Sequence, residues 1–146
     1  MKKVLVMLMM LTMNVVSAEH YTRPENTPLN LPFSEAVRVG ETIYLSGQIG
    51  VPPGKGKVVS GGIVPESKQT LKNIQEVLAH FNLGMNDIVR CQVMLLDIKE
   101  WPLFNSVYKN FFSAPYPARS AFAASGLALN SRVEVECIAR VPSSIN

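Results

Sequence analysis

The segment RVEVECIARV, residues 132–141, alternates with period two. Val133, Val135, Cys137 and Ala139 fall on one side, and Arg132, Glu134, Glu136, Ile138 and Arg140 on the other. That is the pattern of a strand with one face against a core. Two other stretches carry helical spacing. Leu71, Ile74, Val77, Leu78 and Phe81 form one apolar stripe, with Pro65 in a favoured first-turn position and Gly84 placed to cap the C-terminus. Trp101, Phe104, Val107, Tyr108, Phe111 and Phe112 form a second stripe behind Pro102, and plain core packing accounts for these aromatics. DIVRCQVMLLD and ARSAFAA are short, apolar and β-like, and the latter reads as a buried strand. FSEAVRVGETIYLSGQIG holds two β-like runs about Gly40-Glu41, a hairpin. VPPGKGKVVSGG and SGLALNS are loops.

The predicted order is β-β-α-β-α-β-β. Two helices with one apolar stripe each imply an α+β domain, one sheet with both helices on one face. The sheet's other face is mixed on the last strand and apolar elsewhere, so a second subunit is expected to cover it.

The N-terminus changes the picture of where this domain works. Lys2 and Lys3 precede an apolar run from Val4 to Val16 of about 13 residues, short of the roughly 20 that span a bilayer. Val16-Ser17-Ala18 has the form of a signal-peptidase site. Residues 1–18 therefore read as a signal peptide, 19–32 as an extended, partly mobile lead-in rich in Pro, Asn and Thr, and 33–146 as a single domain. The expected location is periplasmic or secreted, with no membrane association after cleavage.

The whole chain of 146 residues carries a formal charge of +3, but without Lys2 and Lys3 its 12 basic residues face 11 acidic ones, net +1. No basic stripe remains, which disfavours a nucleic-acid partner. Cys91 and Cys137 are the only cysteines. An exported chain could pair them, and their apolar strand-like surroundings suit buried free thiols, the plainer expectation. No metal-ligand spacing involves them, so no metal is expected. His20 and His80 are unclustered, the first in a loose N-terminus and the second on a helix's polar side.

The usual catalytic signatures are missing: no G-x-S-x-G, H-E-x-x-H, P-loop or G-x-G-x-x-G. What remains is Arg119, just after Pro117 among small apolar residues, and two acids on another strand, Glu134 and Glu136. A guanidinium there needs an anion. Either Glu136 pairs with it as a structural ion pair, or it receives a substrate carboxylate through two parallel hydrogen bonds. In the second case glutamate can activate a water, which suffices to hydrolyse a reactive C=N bond.

PFSEAVRVGETIYLSGQIG, NSVYKNFF, YPARS and VEVECIA occur in this order over about residues 32 to 141. Together they resemble the Rid (YjgF) family of reactive-intermediate deaminases. The resemblance implies a chorismate-mutase-like α+β fold and a homotrimer with clefts between subunits. It implies hydrolysis of 2-imino or 2-enamino acids to 2-keto acids and ammonia, without metal or cofactor. Carried over by position, Arg119 binds the substrate carboxylate and Glu136 manages the attacking water. Asn105 lines the cleft. Gly47 lies where the backbone approaches the ligand, or marks a strand bulge. Glu134 reads as a solvated or interface charge.

Two positions depart from the family pattern. Phe33 stands where many active members have a cleft tyrosine, keeping an aromatic wall and losing a hydroxyl. Ala121 stands where many have cysteine, so backbone contacts survive there and the thiol does not. Both favour a rival reading, a non-enzymatic exported binding protein for small carboxylates using the same cleft. Ribonuclease and translation-inhibitor activities have also been attached to the family, but near-neutral charge and export count against them here.

Overall fold

A computed structural model describes residues 17–142. The expected α+β architecture is present, with one strand more than the pattern predicts. The six strands are β1 (Ala18–Tyr21), β2 (Ala36–Val39), β3 (Thr42–Ile49), β4 (Ile88–Leu95), β5 (Ala118–Ala123) and β6 (Val133–Arg140). The helices are α1 (Ile63–His80) and α2 (Trp101–Tyr108). One mixed sheet runs β1-β2-β3-β6-β4-β5. β4 and β5 are parallel, joined through α2, and every other pairing is antiparallel.

The core lies between the sheet and the helices. Val133, Val135, Cys137 and Ala139 on β6 are buried there with Leu71, Ile74, Val77 and Leu78 of α1, as the two periodicities require. Gly40 takes φ +60° in the two-residue turn joining β2 to β3, a backbone state that costs glycine nothing. α1 ends differently from expectation. Asn82, at φ 57°, is the left-handed residue after the helix, while Gly84 is extended and opens a short turn at Met85–Asp87. Asparagine tolerates that conformation through its short polar side chain.

The lead-in is built into the sheet. β1 pairs antiparallel with β2, Ala18 opposite Val39 and Tyr21 opposite Ala36. Arg23, almost fully buried, donates from Nε to Glu35 Oε1 at 2.9 Å, from Nη1 to Glu76 at 3.0 Å and from Nη2 to Gln48 at 3.2 Å. His20 is not loose: it lies in β1 and its ring meets Ser34, while His80, exposed on α1 as expected, stacks its ring on Tyr21 at 3.7 Å. The expected signal peptide lies almost wholly outside the described residues. Cleavage after Ala18 would leave Glu19, His20 and Tyr21 of β1 in place.

β5 is an edge strand rather than a buried one, with Ala118, Ser120, Phe122 and Ala123 exposed. Its apolar look comes from alanines, which carry little surface to bury. The expectation of free thiols is also corrected. Cys91 on β4 and Cys137 on β6 are opposite each other in the antiparallel register and form a disulfide. Sequence distance hid this, because the pairing exists only once β6 is inserted beside β4.

The bond closes a loop of 46 residues, which on the chain-entropy account is worth about 4 kcal/mol. Urea unfolding should show a loss approaching that figure when Cys91 and Cys137 are both replaced by Ala. Thiol titration of the denatured, unreduced wild type should detect no free sulfhydryl.

Candidate active site

Alternation along β5 turns Arg119 and Ala121 toward the helix-covered side and Ser120 and Phe122 toward the open side. Arg119 is level with Cys91 in the β4–β5 register. Its side chain lies against α2, with the guanidinium carbon 4.6 Å from the centre of the Tyr108 ring and 5.9 Å from that of Phe104. Arg119, Asn105, Tyr108, Lys109, Tyr116 and Pro117 line a cleft of about 360 Å³. No carboxylate among the described residues forms an ion pair with Arg119. Two further polar atoms at this cleft, Asn105 Oδ1 and the Tyr108 hydroxyl, are buried without a hydrogen-bond partner among the described residues.

Glu136 stands elsewhere. In register it faces Gln92, and Gln92 faces Ser120, so it belongs to the open face, across the sheet from Arg119. The structural ion pair between Arg119 and Glu136 is therefore not formed within one chain. Beside Glu136 on the open face lie Glu134, Met94, Ile138, Tyr44 and Phe122. Tyr44 and Phe122 are about half exposed.

Gly47 borders this second group. The β3–β6 register shifts between Leu45 and Gln48, a bulge. The space above Gly47 is taken by Glu134, whose Cδ would lie 2.9 Å from a Cβ placed there. Phe33 is half exposed just ahead of Ser34, whose carbonyl accepts from the Ser46 hydroxyl at 2.7 Å. Apart from Phe33, the predicted residues thus fall into two sets. Arg119, Asn105 and Ala121 lie on the helix side, and Glu136 and Gly47 belong to the open face, while Phe33 is half exposed in the bend before β2.

Tyr108 escaped the sequence reading as a cleft residue because its burial and helical spacing suit core packing equally well. Its position three residues after Asn105 was the available signal, since such pairs share a helix face. Among the described residues, no group of three His, Cys, Asp or Glu is arranged to hold a metal ion.

Known proteins fit this picture. The family described as Endoribonuclease L-PSP matches residues 14–141. A mouse protein named 2-iminobutanoate/2-iminopropanoate deaminase is 44% identical over 108 residues, 74% of this chain and 80% of its own length. Arabidopsis thaliana Reactive Intermediate Deaminase A, chloroplastic, is 36% identical over 116 residues, 79% of this chain and 62% of its own. Among solved structures, RidA from an Antarctic Psychrobacter superposes with TM-score 0.73 at 32% identity, covering 76% of this chain and 89% of that one. Yeast Mmf1 gives TM-score 0.73 at 32% identity, covering 88% and 98%. The chain belongs to the Rid/L-PSP family.

Burial pushes the Glu134 carboxyl above its ordinary range, and the neighbouring charge of Glu136 adds to the shift. A carboxyl raised in the folded state favours folding while protonated, and that contribution is lost as pH rises through the raised value. Glu134→Gln should therefore be at least as stable as wild type at neutral pH. It should also flatten the decline in stability that begins at about pH 4. Thermal unfolding across the acid range checks both outcomes.

Proposed function

We propose that this protein hydrolyses 2-imino or 2-enamino acids to 2-keto acids and ammonia, as a homotrimer whose active sites lie between subunits. The single observation behind the reading is the guanidinium of Arg119, without an acidic partner among the described residues, at a cleft where Asn105 Oδ1 is likewise unmet. A partly desolvated cation without an anion favours an anionic ligand. The guanidinium fork fits a carboxylate bidentately. The names of the mouse and Arabidopsis relatives supply the reaction class.

Arg119 takes the substrate carboxylate, leaving C2 and its imine nitrogen toward the mouth of the cleft. Glu136, contributed from the open face of a neighbouring copy, takes a proton from water as its oxygen bonds to C2. The imine nitrogen gains that proton, giving a carbinolamine. The hydroxyl proton then passes to the amine, the C–N bond breaks, and ammonia leaves as the carbonyl forms. Overall, one water is consumed and one ammonia released per keto acid. These roles for Arg119 and Glu136 require no cofactor. Asn105 orients the substrate, while Gly47, Phe33 and Ala121 shape the remaining wall.

Export to the periplasm or beyond accords with the sequence of residues 1–18 and with the paired cysteines, since disulfides persist in oxidising compartments. A carboxylate-binding protein without turnover is the second reading. It is favoured by Phe33 and Ala121, which lack the hydroxyl and thiol found in many active members.

Ammonia release from freshly generated 2-iminobutanoate, with mature protein from residue 19, tests the proposal. Arg119→Ala should bring the rate to the spontaneous one while sedimentation still shows the wild-type oligomer. A full rate in that variant refutes the carboxylate role. In the same assay, Glu136→Gln should lower turnover by at least about 100-fold, the scale of general acid–base catalysis, and leave 2-oxobutanoate affinity within a few-fold.

A further inference from the structure

An arginine in an open cleft has many rotamers, and a bidentate contact requires one of them. Three aromatic residues stand at i, i+4 and i+8 behind Arg119: Phe104, Tyr108 and Phe112. All three are buried. The Tyr108 ring stacks on Phe112 at 4.2 Å with 21° between planes, and meets Phe104 at 5.7 Å. The Arg119 guanidinium lies over Tyr108, the middle ring.

We propose that Tyr108 is a positioning residue for substrate binding, its ring face fixing the guanidinium of Arg119 so that the two-pronged fork meets an incoming carboxylate. The inference rests on the reading of Arg119 as the carboxylate clamp. A ring that is itself wedged between two aromatics cannot swing away, so the cation above it loses little further freedom on binding ligand. The ring attracts the cation through its quadrupole and offers no anion to replace the substrate. An ionised phenol would be such a rival anion. Burial pushes the Tyr108 hydroxyl up, an effect only partly offset by Arg119, and so keeps it neutral.

The test compares Tyr108→Phe, Tyr108→Leu and Tyr108→Met, with folding checked by circular dichroism. Each is measured for 2-oxobutanoate affinity by calorimetry and for 2-iminobutanoate turnover. Tyr108→Phe keeps the ring and should stay within about two-fold of wild type in both. The Leu and Met variants should bind about 3- to 30-fold more weakly, the range expected of a cation over a desolvated ring. Their loss should appear in KM, with kcat within about two-fold. If either folded variant binds 2-oxobutanoate as wild type does, or loses only kcat and stability, the positioning role is overturned. Loss of affinity in Tyr108→Phe equal to that in Leu also overturns it, because the hydroxyl would then be the working group. Calorimetry separates this inference from the deaminase reading. A wild type that binds the keto acid through Arg119 without hydrolysing imine sinks the deaminase and leaves the ring comparison decisive. A wild type that does neither overturns both.

Discussion

Side chains on a strand alternate, and β6 applies that rule at the centre of the sheet. Every residue it gives to the core withholds its neighbours from it. Val133, Val135, Cys137 and Ala139 hold α1 against the sheet, which obliges Glu134 and Glu136 to stand on the opposite face. The same rule on β5 sends Arg119 to the helix side. Moving either by one residue would invert the whole strand, so the core itself keeps the arginine and the glutamates apart within a chain. The proposed site, which uses Arg119 and Glu136 together, therefore requires a second copy to bring its open face to the cleft. Half-exposed Tyr44 and Phe122 share that face with Ile138, Met94 and the two acids.

Much of this was legible in the sequence. The two helices and the inward row of β6 follow from local periodicity, because each is set by which positions meet the core, and the other strands from β2 to β5 follow from short β-like runs between turn residues. The misses share a cause: they depend on partners far along the chain. β1 is four residues beside a Pro-rich stretch, with no pattern of its own. It is held by the pairing with β2, and Arg23 by Glu35, Gln48 and Glu76. The disulfide depends on β6 lying next to β4. β5 read as buried from its alanines, and only the strand order reveals it as an edge.

The site was legible in its residue types and not in its arrangement. Arg119 stood out as a charge without local company, and the structure finds it without an acidic partner among the described residues. Sequence spacing did not separate Arg119 from Glu136, since nothing in spacing says which faces of a sheet two strands present. Tyr108 illustrates the reverse difficulty. Its burial was correctly expected, and burial concealed that one ring face belongs to the cleft.

The covalent bond between Cys91 and Cys137 has a topological consequence. Asn105, Tyr108, Pro117, Arg119 and all of α2 and β5 lie on the segment between those two cysteines. The arginine half of the site is therefore carried on a closed ring whose clasp is buried in the core. A protease that cuts the exposed stretch at residues 113–116 opens the ring without releasing a fragment. So long as the disulfide is intact, a nicked molecule remains one molecule, with both flanks of the cleft still tethered to the sheet.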